Sequence, residues 1–304
     1  MNHLKDEFIR AWERIQQARY IVIVTHINPD ADTLSSALAL SNLFAEHNIN
    51  HKVYNSSKSL PTNVNFLHRY DKITNQLPQS FDLAINVDCG SLSRFGFELD
   101  KKIDLINIDH HISNDNFGTI NIVDAQKAST AELVYFLFKF NNLKISKYSA
   151  QCIYTGIYDD SLSFSTQRCD AQTFATVEDL ITCGADTGWI AQQLRRRDSL
   201  AKYRVLPKVL NSLELFNEGK IAVIHLDPLW LKETGATPSD CEVALDMILN
   251  IAVVNIAIFL RQSKNHVRVS LRSKNGVDVS HIANHFNGGG HTMAAGCKIK
   301  YRFK

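Results

Sequence analysis

The sequence predicts an α/β fold with a parallel sheet in its N-terminal part, and two patterns support this prediction. Short apolar runs that suit buried strands occur at residues 20–24, 83–87 and 105–108. Longer runs with helical periodicity lie between and after them, at residues 33–47 and 130–141. Strands that alternate with helices form parallel sheets, and ligands bind such sheets beyond the carboxyl ends of the strands.

The N-terminal segment and the composition indicate a soluble protein. Residues 1–19 are polar, have an amphipathic helical pattern and lack the apolar core of a signal peptide. The longest apolar stretch, residues 247–260, is interrupted by Asn250 and Asn255 and is too short to span a bilayer. The six cysteines are scattered without a close pair, which favours a reducing compartment. We therefore expect a cytoplasmic protein with no membrane partner.

Length and charge limit the domain count and the partners. At 304 residues the chain exceeds most single hydrophobic cores, so two domains are expected. A net charge of only +2 argues against strong binding to long duplex nucleic acid and agrees with a small anionic substrate.

The second half of the chain has a different pattern. Residues 171–216 have an almost wholly helical pattern, and a new unit is expected to begin after Gly219. It should contain a strand at 220–226, a helix opened by Ser239 with Glu242 as its capping box, and an alternating strand at 266–272. The glycine cluster at 288–290 is expected to precede a short helix at 292–295 and a last strand at 298–303.

Side chains that suit hard divalent metal ions follow the apolar runs in four places. Carboxylate oxygen and imidazole are the ligands that Mn²⁺ and Mg²⁺ accept. Each place has an alternative explanation taken alone, such as an aspartate that caps the helix from Thr33 or a solvated turn at Asp159 and Asp160. Together they supply enough ligands for two ions roughly 3.5–4 Å apart with a bridging carboxylate. The candidate ligands are His26, Asp30, Asp32, Asp88, His110 and Asp160.

Two further groups of residues indicate a functional site. Asp109, His110 and His111 stand in succession after an apolar run, where three titratable groups have little structural use. Near the C-terminus, consecutive glycines let backbone N–H groups approach an anion, and arginine forks bind phosphate oxygens. An exposed antiparallel face would also explain the alternating residues Arg268, Ser270 and Arg272. The full second group is Arg268, Ser270, Arg272, Gly288, Gly289, Gly290 and His291.

These motifs resemble those of the DHH-family phosphoesterases, which include RecJ exonucleases and type II pyrophosphatases. The resemblance lies in the segment 25–32, in Asp109-His110-His111, in the segment 128–132 and in the glycine cluster, which resembles that of the DHH-associated C-terminal domain. It implies a DHH metal-binding catalytic domain at residues 1–185, a helical connector at 186–217 and a substrate-binding domain at 218–304.

The resemblance also implies roles for individual residues. His111 and Asp109 are the expected catalytic residues: His111 would face the scissile phosphate, and Asp109 would orient a ligand or lie behind the ligands. Ser35 and Leu162 depart from the family, which commonly has glycine at both places. Two metal ions are expected, Mn²⁺ in first place with Mg²⁺ or Co²⁺ as alternatives. One would be held by His26 and Asp30, the other by Asp32, His110 and Asp160, and Asp88 would bridge them.

Over roughly residues 15–300 the compact chain resembles the bacterial nano-RNase group, which also dephosphorylates 3′-phosphoadenosine 5′-phosphate. This implies hydrolysis of short single-stranded RNA, of about two to five nucleotides, to nucleoside 5′-monophosphates. Dinucleotides and small nucleotides are the expected partners, and a homodimer is left open. Two alternatives remain: a phosphodiesterase for cyclic di-AMP or its linear dinucleotide, and a nucleotide-binding sensor with little turnover.

Overall fold

The structure, a computed structural model, describes residues 2–263 and 265–300. It divides into two units, the first ending at Arg197 and the second beginning at Asp198. This division falls within the connector predicted at residues 186–217. Among the described residues, no helix combines the length and the apolar character needed to cross a bilayer.

The first unit is an α/β unit built on a parallel sheet, as predicted. Its six strands lie in the order β3-β2-β1-β4-β5-β6, and every neighbouring pair is parallel. Its main elements are α1 (Lys5–Gln17), β1 (Ile21–Thr25), α2 (Ala31–Glu46), β2 (His51–Tyr54), β3 (Ile73–Thr74), β4 (Leu83–Val87), β5 (Asp104–Asp109), β6 (Ile120–Val123), α3 (Thr130–Phe140), α4 (Lys147–Asp160), α5 (Ala171–Thr182) and α6 (Thr187–Arg195).

Burial and capping explain why these segments adopt their elements. All residues of β1 and β4 are buried, which matches their continuous apolar runs. Asp30, Ser129 and Ser146 cap α2, α3 and α4, since each side chain accepts a hydrogen bond from a backbone N–H in the first turn. From β1 the chain first adds β2 and β3 on one side of the sheet and then β4, β5 and β6 on the other. The point between β1 and β4 where the strand order changes direction is where parallel sheets of this kind bind ligands.

The second unit contains a mostly antiparallel sheet with strand order β11-β12-β10-β9-β8-β7, in which only β8 and β9 are parallel. This confirms the expected smaller α/β unit after the parallel-sheet unit. Its main elements are α7 (Leu200–Leu210), β7 (Glu214–Phe216), β8 (Ile221–Leu226), α8 (Pro228–Thr234), α9 (Val243–Leu249), β9 (Ile256–Gln262), β10 (His266–Ser273), α10 (Ser280–His285), β11 (Gly289–His291) and β12 (Ala294–Lys300).

Two local predictions in the second unit were wrong: the end of the helical pattern at residue 216 and the residues of the capping box. The helical pattern predicted through residue 216 ends earlier, since residues 214–216 form β7 and pair with β8. The capping box is made by Thr237 and Asp240, with Pro238 in the first turn, and not by Ser239 and Glu242. Glu242 instead accepts a hydrogen bond from Arg261 at 2.9 Å.

The helix predicted at residues 292–295 is also wrong. The glycine cluster forms β11, which turns back and pairs with β12, and β12 in turn pairs with β10 over seven positions. A Cβ at Gly288 or Gly290 would meet the carbonyl oxygen of Gly296 or Ala294, so the absence of side chains permits this close pairing. The last strand begins at Ala294, and residues 301–303 of the predicted strand lie outside the described residues.

Candidate metal centre

The predicted metal ligands meet at the carboxyl end of the parallel sheet. His26 follows β1, Asp88 follows β4, and His110 follows β5, while Asp160 is the last residue of α4. Ligand atoms within each of three groups lie within 4.8 Å of one another. The groups are His26, Asp30 and Asp88; Asp32, His110 and Asp160; and Asp88, His110 and His111.

Asp88 lies at the centre of this arrangement. Its Oδ2 is 3.9 Å from His26 Nε2, and its Oδ1 is 3.7 Å from His110 Nε2. The hydroxyl of Thr33 donates to Oδ2 at 2.6 Å, and that of Thr130 donates to Oδ1 at 3.0 Å. Because each carboxylate oxygen faces a different imidazole, the geometry suits a carboxylate shared between two ions.

Burial makes the acidic side chains of the cluster costly without a cation. Burial and the charge of Asp88 raise the pKa of Asp32 well above its usual value, and burial and Asp30 do the same for Asp88. The same two causes, burial and Asp30, raise the pKa of Asp160 to about 6. Carboxylates that repel one another in a buried site are stabilised by a divalent cation, so the donor set fits a metal centre.

The imidazoles of His26 and His110, both candidate ligands, are oriented with Nε2 towards the carboxylates. Nδ1 of His26 lies 2.8 Å from the carbonyl oxygen of Ile27, and Nδ1 of His110 lies 3.2 Å from that of Lys127. Burial lowers the pKa of His26, and burial together with His111 lowers that of His110 to about 4. Both rings are therefore neutral near pH 7, which is the form that binds metal ions.

His111 differs from its neighbour because it forms a pair with Asp109. Its Nδ1 lies 2.7 Å from Asp109 Oδ1 and 3.6 Å from Asp88 Oδ1. Burial alone would lower the pKa of His111, but the hydrogen bond with Asp109 and the charge of Asp88 raise it to about 9. The ring therefore carries a proton and a positive charge near pH 7.

A network of asparagine amides in the sheet is hydrogen-bonded to Asp109. The Nδ2 of Asn86 on β4 donates to Asn107 Oδ1 on β5 at 2.7 Å, and Asn107 donates to Asn121 on β6 and to Asn114. Asn114 then donates to Asp109 Oδ2 at 2.6 Å. The sequence analysis missed this network, although buried amides inside two apolar runs were a signal for it.

Four more polar side chains that touch the cluster were not predicted as site residues. Thr33 and Thr130 hold Asp88, as described above. Nη2 of Arg94 lies 2.9 Å from His26 Nδ1, and Nη1 of Arg168 lies 3.4 Å from His110 Nδ1. Thr33 and Thr130 lie in the first turns of α2 and α3, where threonine is common for helix capping. Their contact with Asp88 was therefore not apparent from the sequence.

Ser35, the first departure from the family pattern, is accommodated by Gly156. Both lie where α2 and α4 approach each other, and a Cβ on Gly156 would be 3.3 Å from Ser35 Cβ and 2.6 Å from Asp32 Oδ1. The glycine therefore leaves room for both the serine and the carboxylate. We infer that the helix contact needs glycine at 156 more than at 35.

Leu162, the second departure, has a backbone conformation that favours glycine. Leu162, Ser163 and Phe164 follow Asp160 with φ values of 50°, 63° and 65°, all in the left-handed region. This conformation costs a residue with a Cβ roughly 1–2 kcal/mol. The preference for glycine at this place is therefore explained by the turn that ends α4.

Leu162→Gly is expected to raise the free energy of unfolding by about 0.5–1 kcal/mol. The strain is relieved, and the greater freedom of glycine in the unfolded chain offsets part of the gain. Leu162 is 64% exposed, so removal of its side chain costs little burial. Urea denaturation of both proteins measures the difference. Leu162→Ala, which keeps the Cβ, is the control, and equal stability of the two variants would contradict the explanation.

The second unit has a cavity of about 630 Å³, and most of the predicted substrate residues line it. Arg268, Ser270 and Arg272 alternate along β10 and line it, and Gly288 and Gly289 line it from β11 and the preceding turn. Gly290 lies in β11, and the side chain of His291 lies outside what the structure describes. The lining thus combines arginine and glycine backbone, which suit an anion, with the carboxylate of Glu242, which is paired with Arg261.

Comparison with known families agrees with this division of the chain. The DHH family, N-terminal domain, matches residues 20–157, and the DHHA1 domain matches residues 218–302. The two matches confirm the family resemblance predicted from the sequence.

Several known proteins are similar over most of this chain. The bifunctional oligoribonuclease and PAP phosphatase NrnA of Mycoplasma pneumoniae is 30% identical, covering 98% of this chain and 93% of that protein. The protein of the same description from Thermus thermophilus is 27% identical, with 96% and 90% covered. The cyclic-di-AMP phosphodiesterase PdeA of Listeria monocytogenes is 24% identical over 95% of this chain, which spans 46% of that protein.

One solved structure shows the same fold over nearly the whole chain. It is an exopolyphosphatase-related protein from Bacteroides fragilis, with a TM-score of 0.91 and 24% sequence identity, covering 98% of this chain and 92% of that one.

Proposed function

The chain belongs to the DHH family of phosphoesterases, and on that premise we propose that it hydrolyses short RNA to nucleoside 5′-monophosphates. The preferred substrates are oligonucleotides of about two to five nucleotides, and 3′-phosphoadenosine 5′-phosphate is a second substrate. The names of the relatives from Mycoplasma and Thermus support both activities.

The observation that carries the proposal is the carboxylate of Asp88 between two imidazoles, with each oxygen facing one of them. His26 and Asp30 would hold one ion, Asp32, His110 and Asp160 the other, and Asp88 both. When bound, two Mn²⁺ ions would supply an activated water and positive charge for the phosphoryl oxygens. Mg²⁺ and Co²⁺ are the alternatives.

His111 is the proposed catalytic acid. Its hydrogen bond with Asp109 keeps the ring oriented and protonated, and Asn114 fixes the second oxygen of that carboxylate. The imidazolium would neutralise the phosphate and give a proton to the leaving oxygen of the ribose. Asp109 acts through His111 and is a positioning residue.

The second unit would bind a further phosphate of the substrate. Arg268 and Arg272 offer donors in a planar fork, Ser270 offers a hydroxyl, and the glycines at 288–290 expose backbone. We propose His291 as an additional contact. We further propose that the substrate-binding domain spans residues 218–304, the connector 186–217 and the catalytic domain 1–185.

Turnover on a panel of substrates tests the function. Purified protein with Mn²⁺ is given 3′-phosphoadenosine 5′-phosphate, RNA of two to about twenty nucleotides, and cyclic di-AMP, and release of 5′-monophosphate is followed. Fast release from dinucleotides that declines with length supports the proposal. Binding without turnover on any substrate would contradict it and favour a nucleotide sensor.

A cyclic-dinucleotide phosphodiesterase is the second candidate, because the relative from Listeria bears that description. The chain spans less than half of that protein, whereas it spans nearly all of the oligoribonuclease relatives. Preference for cyclic di-AMP over linear dinucleotides in the same panel would favour this candidate.

Arg272→Ala is expected to raise KM for a dinucleotide about 10- to 100-fold and to change kcat little. Loss of a charged hydrogen bond to phosphate removes binding common to the ground and transition states. Steady-state kinetics measures both constants. Arg204→Ala is the matched control, since Arg204 is an exposed arginine on α7. A fall in kcat with KM unchanged would contradict a binding role.

A further inference from the structure

Arg168 lies beside the metal centre without a role in the mechanism described so far. It belongs to the segment 161–170 between α4 and α5 and is exposed. Its Nη1 is 3.4 Å from Nδ1 of His110. Burial and Asp30 raise the pKa of Asp160, and the charge of Arg168 opposes this rise, so the guanidinium also lies within electrostatic reach of Asp160.

Arg168 cannot hydrogen-bond to Nδ1 of His110 once that ring binds a metal ion through Nε2. An imidazole that binds metal through Nε2 carries its proton on Nδ1 and donates it to a nearby acceptor. For His110 that acceptor is the carbonyl oxygen of Lys127, 3.2 Å away. A guanidinium has donors only and cannot hydrogen-bond to a protonated nitrogen. Metal binding therefore frees the donors of Arg168 at the edge of the site.

The freed guanidinium has no acidic partner within the described ranges 2–263 and 265–300. No ion pair joins Arg168 to an aspartate or glutamate there, and the ion pairs of Asp160 and Asp88 are with histidines. The carboxylate of Asp170, two residues further on, accepts from the backbone N–H of Thr173 and caps α5. Arg168 is thus available for an anion, and its planar fork matches two oxygens of a phosphate.

We propose that Arg168 is a phosphate-binding residue of the metal centre, which donates to the non-bridging oxygens of the substrate phosphate when the metal ions are bound. The proposal rests on the proposed function, because it takes the reacting group to be a phosphate ester. It adds a contact from the segment that follows Asp160, whereas the proposed mechanism draws its positive charge from the ions and His111.

A competing explanation is that Arg168 only supplies positive charge to the carboxylates when metal is absent. The two explanations predict different losses. A phosphate ligand contributes to the affinity for phosphate of the metal-loaded protein. If Arg168 only replaces the cation, it competes with metal binding. Its removal would then raise the affinity for metal and leave the affinity for phosphate unchanged.

Calorimetric titration of the full-length protein separates the two roles. Inorganic phosphate and adenosine 5′-monophosphate are titrated into Mn²⁺-loaded wild type, Arg168→Ala, Arg168→Lys and the control Arg196→Ala, and Mn²⁺ is titrated into each metal-free protein. Arg196 is an exposed arginine in the same unit. Arg168→Ala should weaken both anions about 10-fold or more, with an intermediate loss for Arg168→Lys, which keeps the charge but not the fork. Arg196→Ala should match wild type.

Unchanged affinity for phosphate in Arg168→Ala, with unchanged or tighter Mn²⁺ binding, would overturn the proposal. The outcome is independent of turnover. A wild type that binds phosphate through Arg168 but hydrolyses none of the panel substrates would leave this inference standing and contradict the proposed function. Hydrolysis of dinucleotides, together with phosphate binding that does not depend on Arg168, would support the proposed function and overturn this inference.

Discussion

Asp88→Asn should reduce kcat/KM on a dinucleotide by at least about 1,000-fold and weaken Mn²⁺ binding. The charge that both ions would share is lost, and stabilisation by metal ions is worth several kcal/mol in the transition state. The metal-free variant should be at least as stable as wild type, because a buried carboxylate with a raised pKa is replaced by a neutral amide of similar shape. Steady-state kinetics, calorimetry with Mn²⁺ and urea denaturation measure the three quantities.

The test is specific because the variant should lose activity while its free energy of unfolding stays the same or rises. A variant that loses activity through misfolding would also lose stability, whereas Thr33 and Thr130 can still hydrogen-bond to an amide at position 88. Asp115→Asn, at an exposed aspartate of the segment after His111, is the control and should behave as wild type. Wild-type activity in Asp88→Asn would remove the basis of the metal assignment.

His111→Gln should lower kcat by about 10²- to 10⁴-fold and leave the affinity for Mn²⁺ nearly unchanged. General acid catalysis contributes an effect of this size, and glutamine cannot give up a proton. The p-nitrophenyl ester of a nucleoside 5′-phosphate distinguishes the role, because p-nitrophenolate leaves without protonation. On that substrate the variant should regain most of its activity relative to wild type.

His281→Gln is the matched control, because this histidine has an 86% exposed side chain. An equal loss on the RNA and on the p-nitrophenyl ester would show that His111 acts through its charge and gives no proton. Unchanged kcat on both substrates would exclude His111 from the reaction. Asp109→Asn should resemble His111→Gln in direction, since it removes the partner that keeps the ring protonated.

The sequence was sufficient to predict that the candidate ligands lie close together, because the topology brings them to one edge of the sheet. Parallel strands present their carboxyl ends at one edge, so residues that follow apolar runs, such as His26, Asp88 and His110, must come together there. Asp160 was harder to assign, since Asp159 precedes it and only the position on α4 decides which carboxylate joins the group around His110. The pairing of Asp109 with His111 also agrees with the predicted orienting role.

Other features depend on partners that are remote in sequence, and these could not be predicted. The contacts of Thr33 and Thr130 with Asp88 arise only when the starts of two helices meet the end of β4. The glycine cluster forms a strand and not a loop before a helix because β12 pairs with β10, and no local pattern specifies that pairing. Nor does a pattern show that Arg168 reaches His110 from another segment.

The asparagine network has a consequence for how the sheet assembles. Asn86 on β4 is aligned with Asn107 on β5, and Asn107 with Asn121 on β6. Apolar strands of this kind could slide past one another at little cost, since valine and isoleucine pack in many alignments. A slip of one residue would turn these amides to the opposite face and leave them buried without partners, which costs about 1–3 kcal/mol for each group. The three amides therefore favour one strand alignment: the alignment that places Asp109 and His110 beside Asp88 is also the one in which these amides hydrogen-bond to one another.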